Sequence, residues 1–289
     1  MPLTRQSPCK INLLLNILGR RPDSFHELES VIQPVPLHDE LQFKRADRGM
    51  VLTCNHPELA VDSTNLVSRA AAALLEKARI RDGVAIHLEK RIPLAAGLGG
   101  GSANAAHTLL GLNELFDGPL GSDDLQRIAA SLGSDVPFFL QDKPALATGR
   151  GDDITPLEPF AALCNHSVLL VHPGFGIPTA WSYRKLGDFP GSLTGVPGRA
   201  RKLIALLQTG DLESAADEFY NALEFPAFHK FPLLPMLREF LLENGAVVAR
   251  MSGSGSTIFA LATARKADEL RERLLARFGS NNWTAVLPL

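Results

Sequence analysis

The 289 residues are 45% hydrophobic and 21% charged, an ordinary globular composition with enough chain for one large domain or two moderate ones. A formal net charge of −2, with basic runs no longer than a pair such as Arg20-Arg21, excludes the electrostatic footprint of a nucleic-acid binder and favours a small-molecule partner. The three cysteines, Cys9, Cys54 and Cys164, stand far apart in no C-x-x-C arrangement, which argues against a disulfide framework or a thiolate metal site and fits a reducing cytoplasm.

The apolar stretch after Lys10 is interrupted by Asn12 and Asn16 and leads to no small-residue cleavage site, so it reads as a strand and not as a signal peptide. Alternation over 10–18 puts Ile11, Leu13, Leu15 and Ile17 on one face and Lys10, Asn12, Leu14 and Asn16 on the other. One face of that strand carries a cation and two amides. Gly19, Pro22 and Asp23 mark a turn before a returning strand over 28–35. A helix is expected over 63–77 with Ser63 or Thr64 as its cap, then a strand over 84–88 and a helix over 102–116. The next helix begins at Ser122, with Asp123 and Asp124 at its positive end, and stops at Gly133, a residue suited to a left-handed cap. Two prolines and weak periodicity make 155–159 the expected domain junction, dividing 1–158 from 159–289. Beyond it come a strand over 167–171, a Gly/Pro-rich loop over 187–198 and helices over 199–208, 212–222 and 233–243. Strands over 246–250, 257–262 and 283–287 complete the chain, with a charged amphipathic helix over 266–278. This order is α+β or α/β, without repeats and without an apolar run of membrane-spanning length.

The segment Pro93-Leu94-Ala95-Ala96-Gly97-Leu98-Gly99-Gly100-Gly101-Ser102-Ala103 joins the strand over 84–88 to the helix over 102–116. Successive glycines turn backbone N–H groups into one concavity, and the helix that follows adds its own unpaired amides and positive dipole end, which together make a phosphate cradle. The segment is neither of two better-known loops: no Lys follows Gly101, and Ser102 stands where a third spaced glycine would be needed after Gly97. The alternative is a connector that packs a helix closely on a sheet.

Asp135 follows a helix end and precedes the apolar Val136 to Leu140, a position for a general base or for a capping carboxylate. Lys10 is either a surface cation or a catalytic one. Phe25 and His26 pair an aromatic face with a hydrogen-bonding ring, suited to holding a nucleobase and equally to core and surface positions. Trp181 and Tyr183 offer either a second aromatic wall or core packing. Residues 251–256, all Ser and Gly after Met251, read as a turn in close backbone approach to another segment.

In order and approximate spacing these segments resemble the GHMP-superfamily kinases. The matching stretches are Pro8-Cys9-Lys10-Ile11-Asn12-Leu13 with Phe25-His26-Glu27-Leu28, the glycine segment, Leu132-Gly133-Ser134-Asp135-Val136-Pro137-Phe138, and Met251-Ser252-Gly253-Ser254-Gly255. They span nearly the whole chain. The glycine segment is specific to the superfamily; Lys10-Ile11-Asn12 followed by the His26 segment narrows it to the branch acting on a cytidyl-bearing methylerythritol in the non-mevalonate isoprenoid route.

The resemblance implies an α+β GHMP-kinase fold of two α/β domains, the N-terminal one ribosomal-protein-like and the C-terminal one ferredoxin-like. It implies an ATP-dependent phosphotransferase with an alcohol acceptor, using Mg2+. By it, 93–103 and Asn65 bind ATP, Ser102 lies near the Mg2+, Asp135 is the general base and Lys10 its cationic partner. Asn12, Phe25, His26, Thr179 and Tyr183 hold the acceptor. Three residues depart from the family's usual pattern: Ala103 for a second Ser, Phe25 for Tyr and Cys9 for Ala. Phe25 keeps a stacking face and loses a hydroxyl. The small-molecule substrate is the expected partner, with no nucleic acid or membrane, in a cytoplasmic monomer or homodimer. A homoserine- or mevalonate-type kinase and a non-catalytic nucleotide binder are the alternatives.

Overall fold

The computed structural model describes residues 2–193 and 195–289. In chain order the elements are β1 (Leu3–Arg20), β2 (His26–Ala46), β3 (Met50–Cys54), α1 (Leu66–Lys77), β4 (Gly83–Glu89), α2 (Gly100–Leu115) and α3 (Ser122–Leu132). Then follow β5 (Ala145–Thr148), β6 (Asp153–Pro156), β7 (His166–His172), α4 (Thr179–Lys185), α5 (Arg199–Gln208), α6 (Leu212–Ala215) and β8 (Tyr220–Asn221). The chain ends with α7 (Glu224–Lys230), α8 (Leu233–Glu243), β9 (Val248–Met251), β10 (Ile258–Thr263), α9 (Ala264–Phe278) and β11 (Trp283–Pro288).

Packing groups these elements into two compact units that interleave along the sequence. One takes the described residues up to Cys9, Leu37–Pro93 and Gly99–Asp142; the other takes Lys10–Pro36, Leu94–Leu98 and Lys143–Leu289. The long strands β1 and β2 each give a length to both units.

In the first unit, β4 pairs antiparallel with β2, from Glu40 opposite Glu89 to Ala46 opposite Gly83, and parallel with β3. The helices cover this sheet through small side chains. Ala103, Ala105 and Ala106 of α2 are fully buried, and at Gly111 a Cβ would lie 2.5 Å from the Phe43 ring, so only glycine lets α2 come this close. Asn65, not Ser63 or Thr64, caps α1: its Oδ1 accepts the Val67 N–H at 2.9 Å. Capping of this kind is worth about 1 kcal/mol. At the end of α3, Gly133 has φ 168°, extended backbone and not the left-handed cap expected of it, because the chain turns directly into 134–136.

The fully buried Asp39 organises this unit. Its Oδ1 accepts the N–H groups of Arg91 (2.7 Å) and Ile92 (2.9 Å), while its Oδ2 receives the Lys90 ammonium and Asn104 Nδ2. Asn104 Nδ2 also donates to Ser7 Oγ at 3.1 Å. Residues 90–92 and the second turn of α2 are thereby tied to one carboxylate. Deleting either charge of a buried pair costs about 3–5 kcal/mol because the other is left uncompensated.

The second unit holds the sheet β11-β7-β10-β9, antiparallel throughout, with β10 central: Phe259 faces Leu170 on one side and Arg250 on the other. Leu237 and Leu241 of α8 and Ala267, Leu270 and Leu274 of α9 bury their three-and-four spacing on it beside Leu169, Val171 and Ala260. In the same unit β1 pairs parallel with β8 at Leu14–Tyr220 and Leu15–Asn221, and β2 pairs with β5, which turns back into β6. The helix expected over 212–222 is cut short for this reason. It ends at Ala215, a 3-10 turn follows, and Tyr220 and Asn221 give their backbone to β1.

Candidate active site

The polar face of β1 is buried: Lys10 is 3% exposed, Asn12 5% and Asn16 1%. Burying an ammonium demands compensating oxygen atoms. Lys10 Nζ donates to Asn12 Oδ1 and, at 3.2 Å, to the carbonyl of Gly97. Asn12 Nδ2 donates to Ser30 Oγ at 2.8 Å, and Ser30 passes its proton to the Leu14 carbonyl at 2.7 Å. This fixes the amide so that its oxygen faces the lysine. The backbone of the glycine segment is held to the same strand, with Lys10 N–H donating to the Leu98 carbonyl at 3.0 Å.

The turn between β9 and β10 closes on this group. Ser252 Oγ donates to the Gly97 carbonyl at 3.0 Å and accepts the Asn12 N–H at 3.4 Å. At Gly97, φ is +78° and a Cβ would lie 2.1 Å from the Ser252 carbonyl oxygen, so both conformation and space require glycine. Thr257 N–H reaches the Ala96 carbonyl at 3.2 Å. The close backbone approach expected of 251–256 is therefore made to the glycine segment.

Gly99, with φ 72°, is the cap residue of α2, so the first-turn amides of Gly100, Gly101 and Ser102 lead the helix without intrahelical acceptors. Ser102 is half-buried, and no described residue hydrogen-bonds its hydroxyl. Asp135 is half-buried in the turn after α3; the cap position of the following 3-10 turn belongs to Val136. Asn65 donates Nδ2 to the Ala60 carbonyl at 2.6 Å besides capping α1.

His26 and Tyr183 face one another with ring centroids 5.3 Å apart and planes inclined by 33°. Burial, and after it the Arg20 charge, hold the His26 pKa below the usual imidazole value, so the ring is neutral at pH 7. Phe25 is half-exposed in the β1–β2 turn, with the Arg150 guanidinium 5.0 Å from its centroid. Thr179 Oγ1 lies 3.0 Å from Ser254 Oγ. Trp181 packs against Phe231 and the second unit's core. Of the expected aromatic wall, Tyr183 alone lies against His26.

The family described as GHMP kinases N terminal domain matches residues 65–143, and GHMP kinases C terminal matches 203–281. The 4-diphosphocytidyl-2-C-methyl-D-erythritol kinase of Synechococcus sp. (strain JA-3-3Ab) is 40% identical over 276 residues, 93% of this chain and 88% of the relative. That of Pelobacter propionicus (strain DSM 2379 / NBRC 103807 / OttBd1) is 38% identical over 285 residues, 98% of both. The chain belongs to this branch of the GHMP kinases. A crystal structure of 4-(cytidine 5'-diphospho)-2C-methyl-D-erythritol kinase aligns over 99% of both chains with a TM-score of 0.80 at 35% identity. Homoserine kinase from Cytophaga hutchinsonii, at 20% identity and a TM-score of 0.73, shares the fold. The α+β GHMP-kinase fold expected from the sequence is the observed one.

Within this GHMP kinase, sequence reasoning missed Ser30 and Asn221. Both are common polar residues on strands, and their roles depend on partners distant in sequence. Among the described residues no group of three His, Cys, Asp or Glu gathers to hold a metal, and no helix is long and apolar enough to cross a membrane.

Proposed function

We propose that this chain transfers the γ-phosphoryl group of ATP to the 2-hydroxyl of 4-diphosphocytidyl-2-C-methyl-D-erythritol, a step of non-mevalonate isoprenoid precursor synthesis. The observation that carries this reading is the buried Lys10 ammonium bonded to Asn12 and to the carbonyl of Gly97, which fixes a cation on the glycine segment. Identity of 38% over 98% of a relative of that name supports the acceptor.

In phosphoryl transfer the migrating group spreads negative charge over its oxygens, so the protein acts chiefly by positioning and by electrostatics. Residues 93–103 cradle the ATP phosphates, with the first-turn amides of Gly100, Gly101 and Ser102 as the donors. Asn65, having capped α1, keeps one amide proton and one oxygen lone pair for the nucleotide. Lys10 offsets charge on the migrating group, and Asp135 accepts the proton of the acceptor hydroxyl. Asn12 orients Lys10 and meets the acceptor's erythritol arm. His26 reads the cytosine edge, Tyr183 and Phe25 supply apolar faces, and Thr179 lies at the acceptor end. With Arg150 over one face of Phe25, the base takes the other.

Ser102 fits Mg2+, which prefers few protein ligands and hard oxygen atoms, since its hydroxyl is uncommitted at the start of α2. When bound, the ion neutralises phosphate charge. A chain-order division into 1–158 and 159–289 is supported by the two family matches falling on either side of it. Scattered cysteines support a cytoplasmic setting.

An ADP-release assay with cytidyl-methylerythritol, homoserine and mevalonate tests the reading. Turnover is expected with the first alone, and faster turnover of either other alcohol overturns the acceptor assignment. Asp135→Asn is expected to lower kcat by about 10²–10⁴-fold with the affinity for a non-hydrolysable ATP analogue little changed. Near wild-type kcat in that variant removes the base.

A further inference from the structure

The turn that touches Lys10 is itself held from behind by one amide. Asn221 of β8 is 1% exposed, and its Nδ2 donates both protons into the turn, to the Met251 carbonyl at 2.7 Å and the Gly253 carbonyl at 2.8 Å. Its Oδ1 accepts the Leu223 N–H at 2.9 Å, which fixes which end of the amide faces the turn. The backbone of Asn221 pairs with Leu15 of β1, the strand that carries Lys10 and Asn12. One side chain thus sets the spacing between β1 and the turn.

The turn has little freedom to be elsewhere. A Cβ on Gly253 would lie 3.0 Å from the Gly97 carbonyl oxygen, 3.2 Å from Lys10 Nζ and 3.3 Å from Asn12 Oδ1. The Gly97 carbonyl receives both Lys10 Nζ and Ser252 Oγ. A second anchor comes from α7, where Glu224 Oε1 accepts the Met251 N–H at 2.8 Å. That bond holds the end of β9, as one bond from Asn221 does; the other bond from Asn221 reaches past it to Gly253.

We infer that Asn221 is a positioning residue for phosphoryl transfer, holding Ser252 and Gly253 so that Lys10, Asn12 and the Gly97 carbonyl keep one arrangement. The inference rests on the assignment of Lys10 to the transferring group. Other side chains do not meet the requirement. Asp would set a carboxylate oxygen against two carbonyls, and Ser has a single proton to donate. Without Asn221 the turn relaxes away from β1, and the ammonium loses its fixed direction while His26 and Tyr183, on other elements, keep theirs.

The experiment compares wild type with Asn221→Ala, Asn221→Asp, Gly253→Ala, Lys10→Met and the double variant Asn221→Ala/Lys10→Met. Displacing a reacting group's partner by about 1 Å costs roughly 10²-fold, so kcat is expected to fall by about 10–10²-fold in the Asn221 variants. Acceptor KM and the calorimetric affinity for CDP are expected to stay within about twofold of wild type, a split that a general loss of structure would not give. The double variant is expected to be no more than a few-fold slower than Lys10→Met, since residues acting through one another are not additive. Gly253→Ala crowds the same atoms from the turn side and should reproduce the kcat loss with CDP affinity retained, even if the Asn221 variants do not fold.

Wild-type kcat in a folded Asn221 variant or in Gly253→Ala overturns the inference. So does a parallel fall in kcat and CDP affinity, or full additivity with Lys10→Met. Near wild-type kcat in Lys10→Met itself overturns the assignment of Lys10 and removes this inference with it.

Discussion

Gly97 and Gly101 stand four residues apart in one glycine run and answer to different demands. At Gly97 the backbone is left-handed and a Cβ would strike the Ser252 carbonyl oxygen at 2.1 Å and the Gly255 nitrogen at 2.9 Å. At Gly101, in the first turn of α2, a Cβ would meet only Leu66 Cδ1 at 3.7 Å, an ordinary contact. The fold excludes alanine at the first position and has room for it at the second, where alanine is the better helix former. A glycine that packing does not require is what the proposed phosphate site calls for, where a group must come within reach of the backbone amides. The contrast separates, inside one motif, the part that builds the protein from the part proposed to meet the phosphate.

The largest expected effect comes from Gly97→Ala. Left-handed strain and a backbone collision together are expected to cost roughly 3–5 kcal/mol, read as a fall in the urea midpoint or as loss of folded protein. Wild-type stability would break the contrast at its packed end. Gly101→Ala is expected to do the opposite, raising stability by up to about 1 kcal/mol while weakening ATP binding about tenfold, or roughly 1.4 kcal/mol. Calorimetry with an ATP analogue beside a thermal melt separates the two, and unchanged affinity would make the open end mere helix packing. Asn65→Ala sharpens the comparison from a residue that faces both ways. Loss of the α1 cap is expected to cost about 1 kcal/mol, with a further few-fold loss of ATP affinity; a stability change alone would leave Asn65 as a cap and nothing more.

Local pattern made much of this legible. The helices Arg199–Gln208 and Leu233–Glu243 lie where their three-and-four spacing puts them, and the alternation after Lys10 is a strand whose polar face carries the lysine and the two asparagines. The glycine segment was readable because its chemistry is backbone chemistry, written in the absence of side chains. What local pattern does not carry is partnership. Ala215 to Ala222 reads as helix, yet Tyr220 and Asn221 are drawn into a parallel pair with β1, because that edge offers backbone hydrogen bonds that local propensity cannot outweigh. Gly133 reads as a left-handed cap but is extended, since the path of the next residues sets its φ. Ser30 and Asn221 give no signal at all: their value lies in the Asn12 amide and in the carbonyls of Met251 and Gly253, at distances of 2.7–2.8 Å that no spacing rule encodes.

The pairing of Leu14 and Leu15 with Tyr220 and Asn221 also orders events at the ribosome. Strand β1 leaves the exit tunnel some two hundred residues before the edge partner that completes its β8 side. At about 5–20 residues per second, synthesis of the intervening segment takes on the order of ten seconds or more. Through that interval an apolar strand bearing Lys10 offers unpaired backbone on that side, a template for other nascent chains. The strand that carries the candidate catalytic cation is therefore also one whose open edge a chaperone would shield on the nascent chain.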